Sequence, residues 1–260
     1  PSFLEGRTTG MLSAEFNIFP LIFPLPADMS PEQDLVLGYR EFRATAGLQR
    51  AFWQHRFLLV PSFDWQTDSP FIYKTAPGQT TLPDGLSSLI ISAPQVVATL
   101  DLRDDPIAPR HGAYLTAAFQ MAGHGMGGNV SDFRIRPEAR GYLPLGRNLT
   151  LATRLTLGFL MPSNYGQSIT SGSGLDLLQD PRDPAVVADE HKMLFRGFYS
   201  GGPTSNRGYG FREVGPHGPV GFLLQGGNVN CFAPRSDAER AQCVRPLGGL
   251  TLWETSLEVR

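Results

Sequence analysis

The chain has 260 residues, a formal net charge of -2, 41% hydrophobic against 18% charged residues, and 29 Gly and 22 Pro. That much Gly and Pro excludes a helix-rich protein, and the aromatic and aliphatic content excludes a disordered one, which leaves many short strands joined by turns and loops. The near-neutral balance, without a cluster of Lys and Arg, excludes a nucleic-acid surface.

The chain begins at Pro1 with no initiator Met or signal pattern and ends at Arg260 inside a strand-like run, as expected of an internal piece of a longer protein. A first strand is expected at residues 11–20, followed by a Pro-rich link over 24–38 and strands at 40–51 and 57–66 around a tight turn at Trp53–Arg56. A long link over 71–88 leads to a strand at 95–104, where Val96, Ala98, Leu100 and Leu102 oppose Thr99, Asp101 and Arg103. Strands at 112–121 and 132–143 follow, joined through a Gly-rich link over 121–129. In the second of these Arg134, Arg136, Glu138 and Arg140 share one face, with Phe133, Ile135, Pro137 and Ala139 on the other. A tight link over 144–148 precedes a strand at 149–160, with Leu149, Leu151, Leu155, Leu157 and Phe159 opposite Thr150, Arg154, Thr156 and Gly158. The longest link, 161–246, leads to an eighth strand at 249–260, with Trp253, Thr255, Leu257 and Val259 opposite Glu254, Ser256, Glu258 and Arg260. Alternation with period two marks strands with one apolar and one polar face.

The polar faces choose between architectures. They carry Arg43, Arg103, Arg134, Arg136, Arg140 and Arg154 with Asp101, Glu138, Glu254 and Glu258, whereas the whole chain holds two lysines, Lys74 and Lys192. Arg paired with acid suits a wet, crowded barrel lumen, where planar guanidinium groups bridge carboxylates. No segment approaches the ~18 apolar residues of a membrane helix, but barrel strands are apolar only at every second residue. Short turns at one end and long loops at the other point the same way. The fold class expected is all-β: a transmembrane antiparallel β-barrel, partial, with a long loop over about 161–248. The exposed face of a soluble β-sandwich remains the alternative at this point.

Cys231 and Cys243 stand close together in an irregular segment, which points to a local disulfide in an oxidising compartment, with two unrelated free thiols as the alternative. No further Cys exists and the five His are scattered, so no metal site is expected, and no cofactor.

The longest link holds the run Phe198-Tyr199-Ser200-Gly201-Gly202-Pro203-Thr204-Ser205-Asn206-Arg207-Gly208-Tyr209-Gly210, then Gly215-Pro216. Glycine density of this kind permits tight reversals close to a wall. A tip so built could set Arg207 against an inward carboxylate. With Gly248, Gly249 and the later Ser256, Leu257, Glu258 and Arg260, the stretch resembles the lumen-inserted loop of the BamA/TamA family of outer-membrane assembly factors (the bacterial surface antigen family). Its pattern runs F-x-x-G-G-x-x-S-x-R-G-F/Y, G-P, an insert, G-G, then S-L-E-x-R. Leu100-Asp101-Leu102-Arg103-Asp104-Asp105, then Pro109 and Gly112, is similar to a periplasmic hairpin of that family. Asn206 departs from it, standing where Val or Ile is usual.

The resemblance implies that the loop over about 161–248 is inserted into the lumen of a sixteen-stranded barrel, of which these are strands five to twelve, with periplasmic POTRA domains and the other strands outside the chain. It implies that the carboxylate clasping Arg207 lies on a thirteenth strand, beyond Arg260. It also supports the disulfide. As function it implies a bacterial outer-membrane factor, not an enzyme, that folds and inserts β-barrel proteins. The partners implied are outer-membrane lipid and lipopolysaccharide, unfolded β-barrel substrates, and accessory lipoproteins or periplasmic chaperones acting through the POTRA domains. A two-partner-secretion transporter of the same superfamily, a passive porin and a soluble binding module are the other readings.

Overall fold

A computed structural model describes residues 8–20, 36–74, 81–170, 183–203, 205–210, 212–220 and 244–260. Eight long strands form one antiparallel sheet: β1 (Thr8–Pro20), β2 (Val36–Phe52), β3 (Phe57–Lys74), β4 (Leu89–Asp101), β5 (Gly112–Ala122), β6 (Asp132–Pro144), β7 (Thr150–Pro162) and, after a loop, β10 (Thr251–Val259). The order β1-β2-β3-β4-β5-β6-β7-β10 is sequential, and among the described residues its two edges do not meet. This is the wall of a partial β-barrel. The loop between β7 and β10 carries a short helix α1 (Gln167–Thr170), a longer α2 (Pro184–Arg196) and a small ribbon of β8 (His217–Pro219) and β9 (Val244–Pro246).

The expected strands are present, and three are longer than their alternation indicated. β2 starts at Val36 inside the expected link, β3 runs on through Lys74, and β4 starts at Leu89. Residues 67–70 of β3, Thr-Asp-Ser-Pro, lie past the end of the expected strand, and proline removes a ladder donor there. The ladders explain why they form a strand. β4 pairs with β3 only as far as Asp68, so Pro70 faces a neighbour on the β2 side alone. The same rule covers the other strand prolines. Pro61 lies in a break of the β2–β3 ladder, Pro94 lies beyond the reach of β5, and Pro137 lies in a break of the β6–β7 ladder. Each proline falls where one neighbour asks for no hydrogen bond.

Leu12, Phe16, Phe42, Phe63, Phe119, Leu155, Phe159, Trp253 and Leu257 are large apolar side chains left exposed, and the pairing register puts them all on one face. That face suits hydrocarbon. The opposite, inner face holds the polar side chains and receives α2.

The helix forms where Asp183 accepts a hydrogen bond from Ala185 N at its start, with Pro184 in its first turn. It buries Val186, Val187, Glu190, His191, Met193 and Leu194, spaced as one helical face. Two clusters result. One joins Leu89, Ile91, Ala93 and Leu160 of the wall to Tyr165, Met193 and Phe198. The other joins Leu37 and Leu86 to Val187, Leu194 and Val220. The last turns of α2 touch both Tyr39 on β2 and Asp132 on β6. In a flat sheet those strands would stand about 19 Å apart, four spacings of ~4.8 Å. A stretch from His191 to Arg196 rises only about 7.5 Å. The end of the helix, with the reach of its His191 and Arg196 side chains, thus bridges strands four places apart in the sheet.

If the outward face meets lipid, charge placed there costs according to depth. Leu155→Arg, near the middle of β7, should destabilise the membrane-inserted protein by about 2–4 kcal/mol, and Leu149→Arg, in the turn before β7, by roughly 0–1 kcal/mol. Urea unfolding in lipid vesicles measures both, and equal losses would contradict the assignment of faces.

Candidate functional site

The loop enters the sheet's inner side by a buried ion pair that the alternation pattern does not reveal. Arg196, the last residue of α2, sends Nη2 to Asp132 Oδ1 at 2.6 Å and Nε to Asp132 Oδ2 at 2.8 Å. Its Nη1 donates to Gln120 Oε1 at 2.8 Å, and Tyr165 Oη donates to Asp132 Oδ2 at 2.6 Å. The two ionic side chains are 4% and 0% exposed. Burial opposes the Arg196 charge, but the bonds to Asp132 outweigh it and hold the guanidinium above its usual range. A bidentate, two-atom clasp of this kind fixes direction as well as distance.

Beside it, His191 stacks on Tyr39 at 5.5 Å and meets Phe195 edge-on at the same separation. Burial, with a smaller push from Lys192, lowers the imidazole pKa to about 4. Phe198 then passes under Arg134, whose guanidinium carbon lies 4.5 Å from the ring centroid. Gly158 makes room: a Cβ there would stand 2.8 Å from Phe198 Cζ and 2.9 Å from Leu252 Cβ.

From Phe198 the chain forms the loop that the sequence singles out. Phe198 N donates to Gly249 O, a bridge between the loop stem and the approach to β10. Gly201 and Gly202 have φ of 106° and 100°, and a Cβ on Gly201 would lie 2.3 Å from Gly210 O. Gly202 N donates to Tyr209 O at 3.1 Å, which closes a ring around the tip. Inside it, Ser205 Oγ donates to Glu254 on β10, and Ser200 Oγ donates to the same Glu254 Oε1 at 2.6 Å. Asn206 Nδ2 donates to Ser200 Oγ at 2.8 Å. A Val or Ile at that position could not join this cluster, so the departure from the usual residue has a use here.

Within the chain, Arg207 meets a carboxylate on β10. Its Nη2 lies 3.2 Å from Glu258 Oε1 on β10, and Arg260 binds the other oxygen of Glu258 at 2.8 Å. The Arg207 side chain is 75% exposed, so this contact is unlike the buried pair at Arg196. Gly208 has open space around it and Tyr209 is exposed. Gly215 has a φ of 145°, and Pro216 O accepts from Leu247 N at 3.0 Å, next to the β8–β9 ribbon. Cys231 and Cys243 lie outside the described residues.

The expected wall charges face the inner side. Glu138 accepts from Arg140 Nε at 2.6 Å, Arg154 Nη2 at 2.9 Å and Thr156 Oγ1 at 3.2 Å. Arg136 shares that face, opposite Ala118 of β5. A second inner group was not singled out in the sequence. Glu41 and Asp68 face each other across β2 and β3, and Gln66 Nε2 donates to both, at 3.0 and 2.9 Å. Asp132, Arg196, Tyr165 and the helix also went unnoticed. The signal present was Asp183-Pro184 before a helical spacing of Val186, Val187, His191 and Leu194.

A β-sheet apolar outside and charged inside, with a loop tied to its inner face, defines a transmembrane β-barrel of the outer-membrane kind with an inserted loop. The Omp85 superfamily domain matches residues 84–260, and the chain belongs to that superfamily, whose members are β-barrel assembly and transport factors of outer membranes. The chain is also 29% identical over 124 residues to the mouse (Mus musculus) protein "Sorting and assembly machinery component 50 homolog". That alignment covers 48% of this chain and 21% of the mouse protein.

Two outcomes test the inner site. Arg196→Ala leaves Asp132 buried without its cation and should cost about 3–5 kcal/mol, read as a lowered urea midpoint. Arg207→Ala should cost far less. Equal losses would show that the buried pair is not the main tie. For His191, the folded pKa lies below the unfolded value of 6.5, so the unfolded state binds more protons between 6.5 and about 4. Stability is therefore full above pH 6.5 and declines as the pH falls towards 4. His191→Phe should flatten that part of the profile, and an unchanged slope would contradict the assignment.

Proposed function

We propose that this chain forms the central wall and inserted loop of a bacterial outer-membrane factor that folds and inserts β-barrel proteins. The observation that carries the reading is the Omp85 superfamily match over residues 84–260, together with a loop motif held against the inner face of that same stretch. The name of the mouse relative, a component of a sorting and assembly machinery, supports assembly over export. α2 packed on the inner face supports a plugged barrel over a passive open pore.

The chemistry is pairing, not bond-making. A β-strand with unpaired N–H and C=O groups is a template for another chain. In a membrane, each such group left unpaired costs several kcal/mol. A barrel wall that can open therefore favours the pairing of an incoming strand. In this reading Arg207, Gly208 and Tyr209, with Gly201, Gly202, Ser205, Gly215 and Pro216, act structurally by bracing β10 at Glu254 and Glu258. Arg134, Arg136, Glu138, Arg140 and Arg154 keep the inner wall polar and wet. Partners follow from the same reading: outer-membrane lipid and lipopolysaccharide, unfolded β-barrel substrates, and accessory lipoproteins or chaperones bound through POTRA domains of the whole protein. The Cys231–Cys243 disulfide belongs to this proposal.

The test reconstitutes the whole protein in lipid vesicles and follows an unfolded outer-membrane β-barrel substrate as it gains protection from protease. The protein should accelerate insertion, and Arg207→Ala should slow it several-fold. Insertion at the protein-free rate would reject the function, and an unaffected Arg207→Ala variant would reject the bracing role. A large steady conductance across a bilayer would favour a porin instead.

A further inference from the structure

Three links at one end of the sheet, of four, ten and five residues, share a construction that the assembly reading does not use. They join β2 to β3, β4 to β5 and β6 to β7, so they lie on one rim, about 10 Å apart at two strand spacings each. Each sets one large apolar side chain in solvent and one arginine two or three residues later. The first pairs Trp53, half exposed, with Arg56, whose guanidinium carbon is 5.7 Å from the indole centroid. The second pairs Ile107, 94% exposed, with Arg110. The third pairs Leu145 with Arg147, both exposed.

Local structure fixes these turns. Trp53, Gln54 and His55 have φ of 50°, 55° and 68°, a left-handed run that reverses the chain in four residues. Asp105 Oδ1 accepts from Ile107 N and Ala108 N and so fixes the second tip. Arg110 Nη1 donates to Arg147 O, which ties the second turn to the third.

The rim also carries Asp101, Asp104 and Asp105, the last bound only by the backbone N–H groups of Ile107 and Ala108. Asp101 binds Arg103, and Asp104 accepts from the backbone of Arg110 and His111 and pairs with the His111 ring. Arg56, Arg110 and Arg147 form no ion pair among the described residues. Three exposed arginines, each near an exposed apolar side chain in a turn, stand at the short-link border of the apolar wall. That is where phosphate groups and acyl chains meet. Side chains with an apolar body or neighbour and a cationic head partition to this boundary.

We propose that this rim binds anionic phospholipid headgroups of the leaflet on the short-turn side. Arg56, Arg110 and Arg147 engage the phosphates while Trp53, Ile107 and Leu145 enter the acyl boundary. Spacing in one plane and continuity with the lipid-facing surface favour a membrane over a protein partner, whose footprint would call for a contiguous patch. The rim would hold the barrel at a set depth and tilt while other parts of the wall move.

The test places the whole protein in nanodiscs of equal parts phosphatidylglycerol and phosphatidylcholine and reads the retained lipids by native mass spectrometry. The wild type should retain phosphatidylglycerol preferentially. Each of Arg56→Gln, Arg110→Gln and Arg147→Gln should lower that preference about fivefold, the equivalent of one cation at an anionic surface. The triple Gln variant should abolish it, and a triple Lys variant should keep most of it. The singles decide the matter if the triple variant fails to fold. A wild type without preference, Gln variants that retain it, or a Lys variant as deficient as the Gln one would overturn the proposal. So would an acidic protein that co-purifies through these arginines while lipid retention stays unchanged. A protein soluble without detergent that retains neither lipid would overturn the membrane reading instead.

Discussion

Asp132 sets the geometry of the inner site. A carboxylate with no exposed surface must be paired, because removing a charge from water costs several kcal/mol unless an opposite charge and hydrogen bonds replace the solvent. Asp132 begins β6, and its partner comes from 64 residues further along the chain, at the end of α2. That one requirement fixes the helix against the wall. Tyr39 on β2 then becomes a neighbour of His191, so one helix end ties β2 and β6 together. The position of Phe198, of the glycine ring after it and of the contacts to β10 all follow from where Arg196 stops.

Much of the wall was legible from alternation. Lipid or water on one face and a polar interior on the other leave a residue-by-residue imprint, and β6, β7 and β10 carry it with few exceptions. Alternation is weakest in β3 beyond Gln66, where the inner face holds Asp68, the outer face holds Thr67 and Ser69, and Pro70 interrupts. Those residues remain in a strand because β2 pairs with each of them, whereas β4 reaches only Thr67 and Asp68. Pairing with a neighbour distant in sequence decided the conformation, and local composition carries no trace of it.

The helix was obscured for a different reason. It is short, lies in a link dominated by glycine and proline, and buries Glu190, His191 and Arg196 along with its apolar residues. A helix that buries charge has no clean apolar stripe. The loop motif, by contrast, was visible because glycines at positive φ and small hydroxyl side chains are demanded by close backbone approach. Arg207, the arginine inside that motif, is nevertheless the weaker tie. Two arginines flank the same glycine-rich run, and only the fold distinguishes the one that is buried from the one that stands in solvent.

That distinction bears on how the loop can work. Eleven positions separate Arg196 from Arg207, and the energetic character of their ion pairs is opposite. The first is desolvated, bidentate and supported by Gln120 and Tyr165, so it opens only at the cost of an uncompensated buried charge. The second is exposed, single and shared with Arg260 on the same carboxylate, so water and counterions compete with it at little cost. A loop with a locked stem and an exposed Arg207 contact keeps its place on the inner face, while Ser200 and Ser205 hold its tip to Glu254 of β10. Were both ion pairs exposed, the helix would not tie β2 to β6 so firmly. The two pairs differ accordingly, desolvated where the helix joins the wall and open to water where Arg207 meets the last described strand.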